Sequence, residues 1–65
     1  MIKLTRLNGK EFVLNIDLIE FIESTPDTII STTTGKKVVV TESVDEIIER
    51  IVDFRRRLNF IEALK

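Results

Sequence analysis

The sequence predicts an α+β fold that is mainly β. Five short antiparallel strands fill residues 1–41 as a meander or small barrel-like sheet, and one C-terminal helix follows over residues 43–62. Three observations predict it. Apolar and polar residues alternate with the two-residue period of a strand from Met1 to Leu7 and again from Lys10 to Asn15. Asn8-Gly9 and Thr34-Gly35 place turn residues between segments rich in β-branched side chains. From Ser43 onward the apolar spacing lengthens to the threes and fours of a helix.

In the first strand Ile2 and Leu4 share a face, and in the second Phe12 and Leu14 do. A two-residue Asn-Gly turn would pair Leu4 with Val13 and mix the faces. A three-residue loop, Leu7-Asn8-Gly9 with Gly9 left-handed, pairs Leu4 with Phe12 and Ile2 with Leu14, so this register is expected. Asn15 to Asp17 should bend the chain. Leu18, Ile19, Phe21 and Ile22 fit a helical turn about as well as a strand, but Pro26 follows closely and argues against a long helix. A strand starting near Leu18 is therefore predicted. Pro26-Asp27 turns the chain, and Thr28 to Thr33 reads as the next strand. After Thr34-Gly35, Lys37 to Thr41 carries Val38-Val39-Val40, a run suited to burial on both faces. Residues Leu4 to Lys10 and Ile30 to Lys36 echo one another, each ending in Gly-Lys. Shared turn chemistry explains the echo, with an internal duplication as the alternative.

Ser43 is the expected helix N-cap, and Glu46 completes a capping box. Asp45, Glu46 and Glu49 suit the positive end of the helix dipole, and Arg55 to Arg57 lie further along. Val44, Ile47, Ile51, Phe54, Leu58 and Ile61 form one apolar stripe, and Ile48 and Val52 are expected to widen it against the sheet. Strands of this length reach about 17–20 Å, whereas twenty helical residues reach about 30 Å. The end carrying Leu58, Phe60, Ile61 and Leu64 should therefore overhang and need a partner.

A chain of 65 residues is one domain, near the lower limit of independent folding. It contains no Cys and no His, which excludes disulfides, thiolate or imidazole metal sites and histidine-based catalysis. Self-association is the remaining reinforcement, so a homodimer or higher oligomer is expected. The serines have strand-end or cap explanations, and the glycines are single turn residues. No enzymatic activity and no cofactor are expected. The net charge of −1 leaves Arg55-Arg56-Arg57 as the single basic cluster. Consecutive helical residues point in different directions, so this cluster reads first as a solvated, dipole-complementing segment and second as a contact for acidic groups on a partner. Phe54, Leu58, Phe60, Ile61 and Leu64, together with those arginines, are the candidate oligomer or partner contacts. No apolar run is long enough for a membrane span or a signal peptide, so a cytoplasmic protein without membrane insertion is expected.

Leu4-Thr5-Arg6-Leu7-Asn8-Gly9-Lys10-Glu11-Phe12 and Leu18-Ile19-Glu20-Phe21-Ile22-Glu23 resemble the flagellar FlbD family, the SwrD swarming motility proteins, over Met1 to about Phe54. Thr25-Pro26-Asp27-Thr28, Thr34-Gly35-Lys36-Lys37 and Glu42-Ser43-Val44-Asp45-Glu46 belong to the same likeness. The resemblance implies a motility role, supporting the torque or function of the membrane-embedded stator, with the protein peripheral to the motor at the inner face of the membrane. A fainter likeness, Leu4-Thr5-Arg6 with Gly9 and then Val38 to Val40 leading into Glu46-Ile47-Ile48-Glu49-Arg50-Ile51, is similar to the carbon storage regulator CsrA. It implies five strands and a helix, a strand-exchanged dimer and RNA binding. The arginine with which that family binds RNA falls here against Val44 or Glu42, so RNA is not the expected partner.

Overall fold

The computed structural model describes the backbone of residues 1–63 and the side chains of residues 1–59. In order along the chain are β1 (Ile2–Thr5), β2 (Glu11–Leu14), a 3-10 turn (Ile16–Leu18), β3 (Ile19–Ser24), β4 (Thr28–Thr32), β5 (Lys37–Val40) and α1 (Val44–Ala63). The five antiparallel strands and the C-terminal helix of the expected class are all present. The strands divide into two sheets, β1-β2 and β3-β4-β5. One bridge, Arg6 to Val40, ties them together, beside a 2.9 Å bond from the Thr41 N–H to the Thr5 carbonyl.

The register of the first hairpin is the one its apolar pattern requires, with Ile2 opposite Leu14 and Leu4 opposite Phe12. Arg6 N–H donates to the Lys10 carbonyl and Gly9 N–H to the Arg6 carbonyl, both at 2.9 Å, which closes a three-residue loop. The β4-β5 loop repeats this geometry: Thr32 N–H reaches the Lys36 carbonyl at 2.8 Å and Gly35 N–H the Thr32 carbonyl at 3.0 Å. Gly9 and Gly35 have φ of 87° and 86°, a region closed to most side chains. The echo between the two segments thus corresponds to one turn chemistry used twice.

The ambiguous segment resolves into a turn followed by a strand. Asn15 Oδ1 accepts the Asp17 N–H at 3.1 Å and caps the 3-10 turn. In β3 the register shifts between Ile19, opposite Thr32, and Phe21, opposite Ser31. The extra residue, Glu20, is a bulge, and it lets Ile19 and Ile22 both reach the core although three residues apart. That spacing is what imitates a helix in the sequence.

The core consists of Ile2, Leu4, Leu14, Ile16, Ile30, Val40 and Ile47, with Phe12, Ile19, Ile22, Val38, Ile51 and Phe54 packed around it. Of the valine run only Val40 is fully buried, and Val38 and Val39 are half-buried. The helix departs from expectation on one point. Ile47 is fully buried, but Ile48 and Val52 are 49% and 41% exposed, so the second stripe does not widen the buried face. The helix lies across the edge of β1 and alongside β3 rather than over a broad sheet, and a narrow support covers a single stripe.

Candidate functional site

The edge of β1 positions the most organised polar cluster in the molecule. Lys3 and Thr5 alternate with the residues that bond to β2, so their N–H and C=O groups point away from that strand. Of these groups, the Thr5 carbonyl is satisfied by the N–H of Thr41, the residue after β5. Two side chains from further along the chain serve the Thr5 N–H and the Lys3 carbonyl. Glu42 Oε1 accepts the Thr5 N–H at 2.9 Å, and the Arg50 guanidinium donates to the Lys3 carbonyl at 2.6 Å. The two meet each other at 3.1 Å through Glu42 Oε2. A carboxylate and a guanidinium thus occupy places where a neighbouring strand would present its carbonyl and amide.

Glu42 is only 6% exposed and lies between β5 and the Ser43 cap. Burial by itself would push its carboxyl pKa up. Hydrogen bonds from Thr5, from its own backbone and from Arg50 outweigh that effect and hold the pKa below the ordinary glutamate value. Both oxygens are engaged, so the group acts as a fixed anion that clamps α1 onto β1 and is not a free base. At the N-terminus of α1, Ser43 Oγ accepts the Glu46 N–H at 3.1 Å and shares its hydroxyl with Glu46 Oε1 at 3.3 Å. The expected capping partners therefore meet, with the glutamate turned to the hydroxyl.

Beside this clamp an open cleft of about 490 Å³ runs between the β1 edge and α1. Its walls include Met1, Lys3, Glu11, Asp53, Phe54 and Arg57. Cations and acids alternate around it, and Lys3 and Glu11 pair at 3.9 Å, so the cleft carries no field of one sign. Among the described residues no group of acidic side chains is disposed to hold a metal ion.

The candidate contact residues fall in different places. Phe54 is half-buried, packs on the core and lines the cleft. Of the three arginines, Arg57 joins the cleft, while Arg55 and Arg56 are exposed elsewhere on the helix. The dipole reading of this cluster is corrected. The helix runs on to Ala63 with no basic residue in its last turn, and the dipole acts within that turn. Leu58, one turn beyond Phe54, is 46% exposed. The side chains of Phe60 and Ile61, and Leu64 altogether, lie outside the described residues. Sequence reading missed Glu42 and Arg50 as a pair. They stand eight residues apart across a helix start, and nothing in that spacing signals that they meet on a strand edge.

The family described as flagellar and swarming motility proteins, FlbD, matches residues 1–59. The chain belongs to the FlbD family. Its match spans every strand, the Glu42–Arg50 clamp and α1 as far as Asn59. Membership carries a role connected with flagella and swarming. No curated protein and no solved structure matches the chain, and the likeness to CsrA receives no support. Of the two positions against which the CsrA family's arginine falls, Val44 carries no charge and Glu42 is a buried carboxylate. No described helix is long and apolar enough to cross a membrane.

Proposed function

We propose that this FlbD-family protein is a non-enzymatic accessory of the flagellar motor, acting through protein–protein contacts that support the stator. The observation that carries the reading is the helix. Phe54 is the last described side chain packed on the core, and the helix continues to Ala63 with Leu58 46% exposed beside Arg55, Arg56 and Arg57. A protruding apolar and basic segment suits docking into a groove with an acidic rim, as amphipathic helices dock elsewhere. The rest of the chain favours binding over catalysis. It has no His or Cys, and its buried carboxylate is consumed by structural hydrogen bonds. The reading places the protein at the cytoplasmic face of the membrane beside the motor.

The test is genetic and mechanical. Deletion should lower swarming and the torque of tethered cells under high load. A Leu58→Asp copy should fail to restore either, while the purified variant keeps its helix content. Unchanged torque in the deletion strain would end this reading.

A further inference from the structure

α1 has a second apolar face that its own sheets leave bare. Ile48 and Val52, one turn apart, are 49% and 41% exposed, while Ile47, Ile51 and Phe54 face the core. At 3.6 residues per turn, this bare stripe lies about 110° around the helix from the packed one. On its flank stand Asp45 and Glu49 toward the N-terminus and Arg56 toward the C-terminus, all exposed. The flank therefore changes from acidic to basic along its length. Among the described residues neither Asp45 nor Arg56 has an ion-pair partner.

We propose that a second copy of the chain covers this face, with the two α1 helices antiparallel about a twofold axis between Ile48 and Val52. Such an axis, normal to the plane of the helix pair, brings each flank against the same flank of the other copy. Centred between residues 50 and 51, it sets Asp45 of one copy across from Arg56 of the other, twice, with the Ile48 and Val52 side chains interleaved between them. An isologous contact requires this reciprocity. A parallel pair would instead carry the two charged flanks to opposite sides of the contact and leave Asp45 and Arg56 without each other. Antiparallel alignment also brings the opposite ends of the two helix dipoles together. The contact is only about 17 Å long at 1.5 Å per residue, short of a standard interface of about 800 Å² per partner. The dimer is accordingly weak and concentration-dependent. It shares Arg56 with the basic segment proposed for the motor contact, but its apolar centre is Ile48 and Val52 rather than Leu58, so the Ile48→Gln, Val52→Gln variant separates the two contacts.

The test is sedimentation equilibrium of the full chain across a concentration series, with Asp45→Arg and Arg56→Asp. The wild type should dimerise. Each substitution alone places like charges opposite one another and should weaken the dimer about tenfold or more. An equimolar mixture of the two variants restores both opposite-charge contacts and should recover affinity near the wild-type level. Ile48→Gln with Val52→Gln, at positions facing solvent in the single chain, should abolish the dimer while circular dichroism shows unchanged helix content. A wild type that stays monomeric overturns the proposal. So does a dimer indifferent to these substitutions, or a mixture that shows no recovery.

Discussion

Replacing Glu42 tests how far one side chain holds helix and sheet together. In Glu42→Ala the Thr5 N–H loses its acceptor beneath the helix, and leaving a buried donor unsatisfied costs about 1–3 kcal/mol. The charge-assisted bond to Arg50 is lost as well. Arg50 is 43% exposed at its side chain, so solvent screens the pair and its share is about 1 kcal/mol or less. The sum is about 1–4 kcal/mol. Natural domains hold about 0.05–0.15 kcal/mol per residue, which for 65 residues gives a total of about 3–10 kcal/mol. The substitution should therefore remove a large part of the stability. Glu42→Gln keeps an oxygen for Thr5 but removes the charge and the acceptor facing Arg50, so its cost should be about 1–2 kcal/mol. The assay is urea denaturation followed by far-ultraviolet circular dichroism, since the chain has no Trp or Tyr to report by fluorescence. A double-mutant cycle with Arg50→Met isolates the pair, and coupling near zero is the signature of independent side chains. Glu42→Ala within about 0.5 kcal/mol of wild type would refute the clamp.

The remaining predictions concern pH, turns and the helix. The Glu42 carboxyl has a pKa lowered on folding, so its contribution is complete above the ordinary glutamate value and is lost as pH falls through the folded one. Acid titration of stability should show that loss in the wild type, and Glu42→Gln should flatten the profile. Gly9→Ala and Gly35→Ala meet no atom within 4 Å, so each should cost only the backbone strain of a positive φ, about 1–2 kcal/mol and alike at the two loops. Thermal melts of the two variants check this. Ile47→Ala empties a fully buried position and should cost about 2–5 kcal/mol. Ile48→Ala, measured in dilute protein where the chain is single, should stay within about 0.5 kcal/mol.

Much of the fold was legible in the sequence because it depends on near neighbours. The pairing of Leu4 with Phe12 follows from which loop length keeps two apolar sets on one face, and Gly9 supplies the positive φ that the loop needs. The start of α1 follows from a serine and a glutamate three residues apart. These are contacts of a few residues' separation, and the chain carries their signal locally. The bulge at Glu20 was less legible, because the spacing of Ile19 and Ile22 that it permits is also helical spacing, and only pairing with β4 separates the two.

The candidate site was mostly hidden. The Arg55 to Arg57 cluster was visible as a run, but its division, with Arg57 in the cleft and the other two outside, depends on where the helix lies against β1. Ile47 and Ile48 are the same residue type side by side, and sequence alone assigned both to the buried face. Tertiary structure separated them, because a helix resting on a strand edge shelters one stripe and leaves the next bare. Glu42 is the clearest case. Its partner amide lies 37 residues earlier at Thr5, and Arg50 reaches back 47 residues to the Lys3 carbonyl. No local pattern encodes such a meeting. The sequence by itself determined the strands, their turns, the helix and its cap. Only the closure of α1 across β1 decided which charges are structural and which apolar side chains remain for a partner.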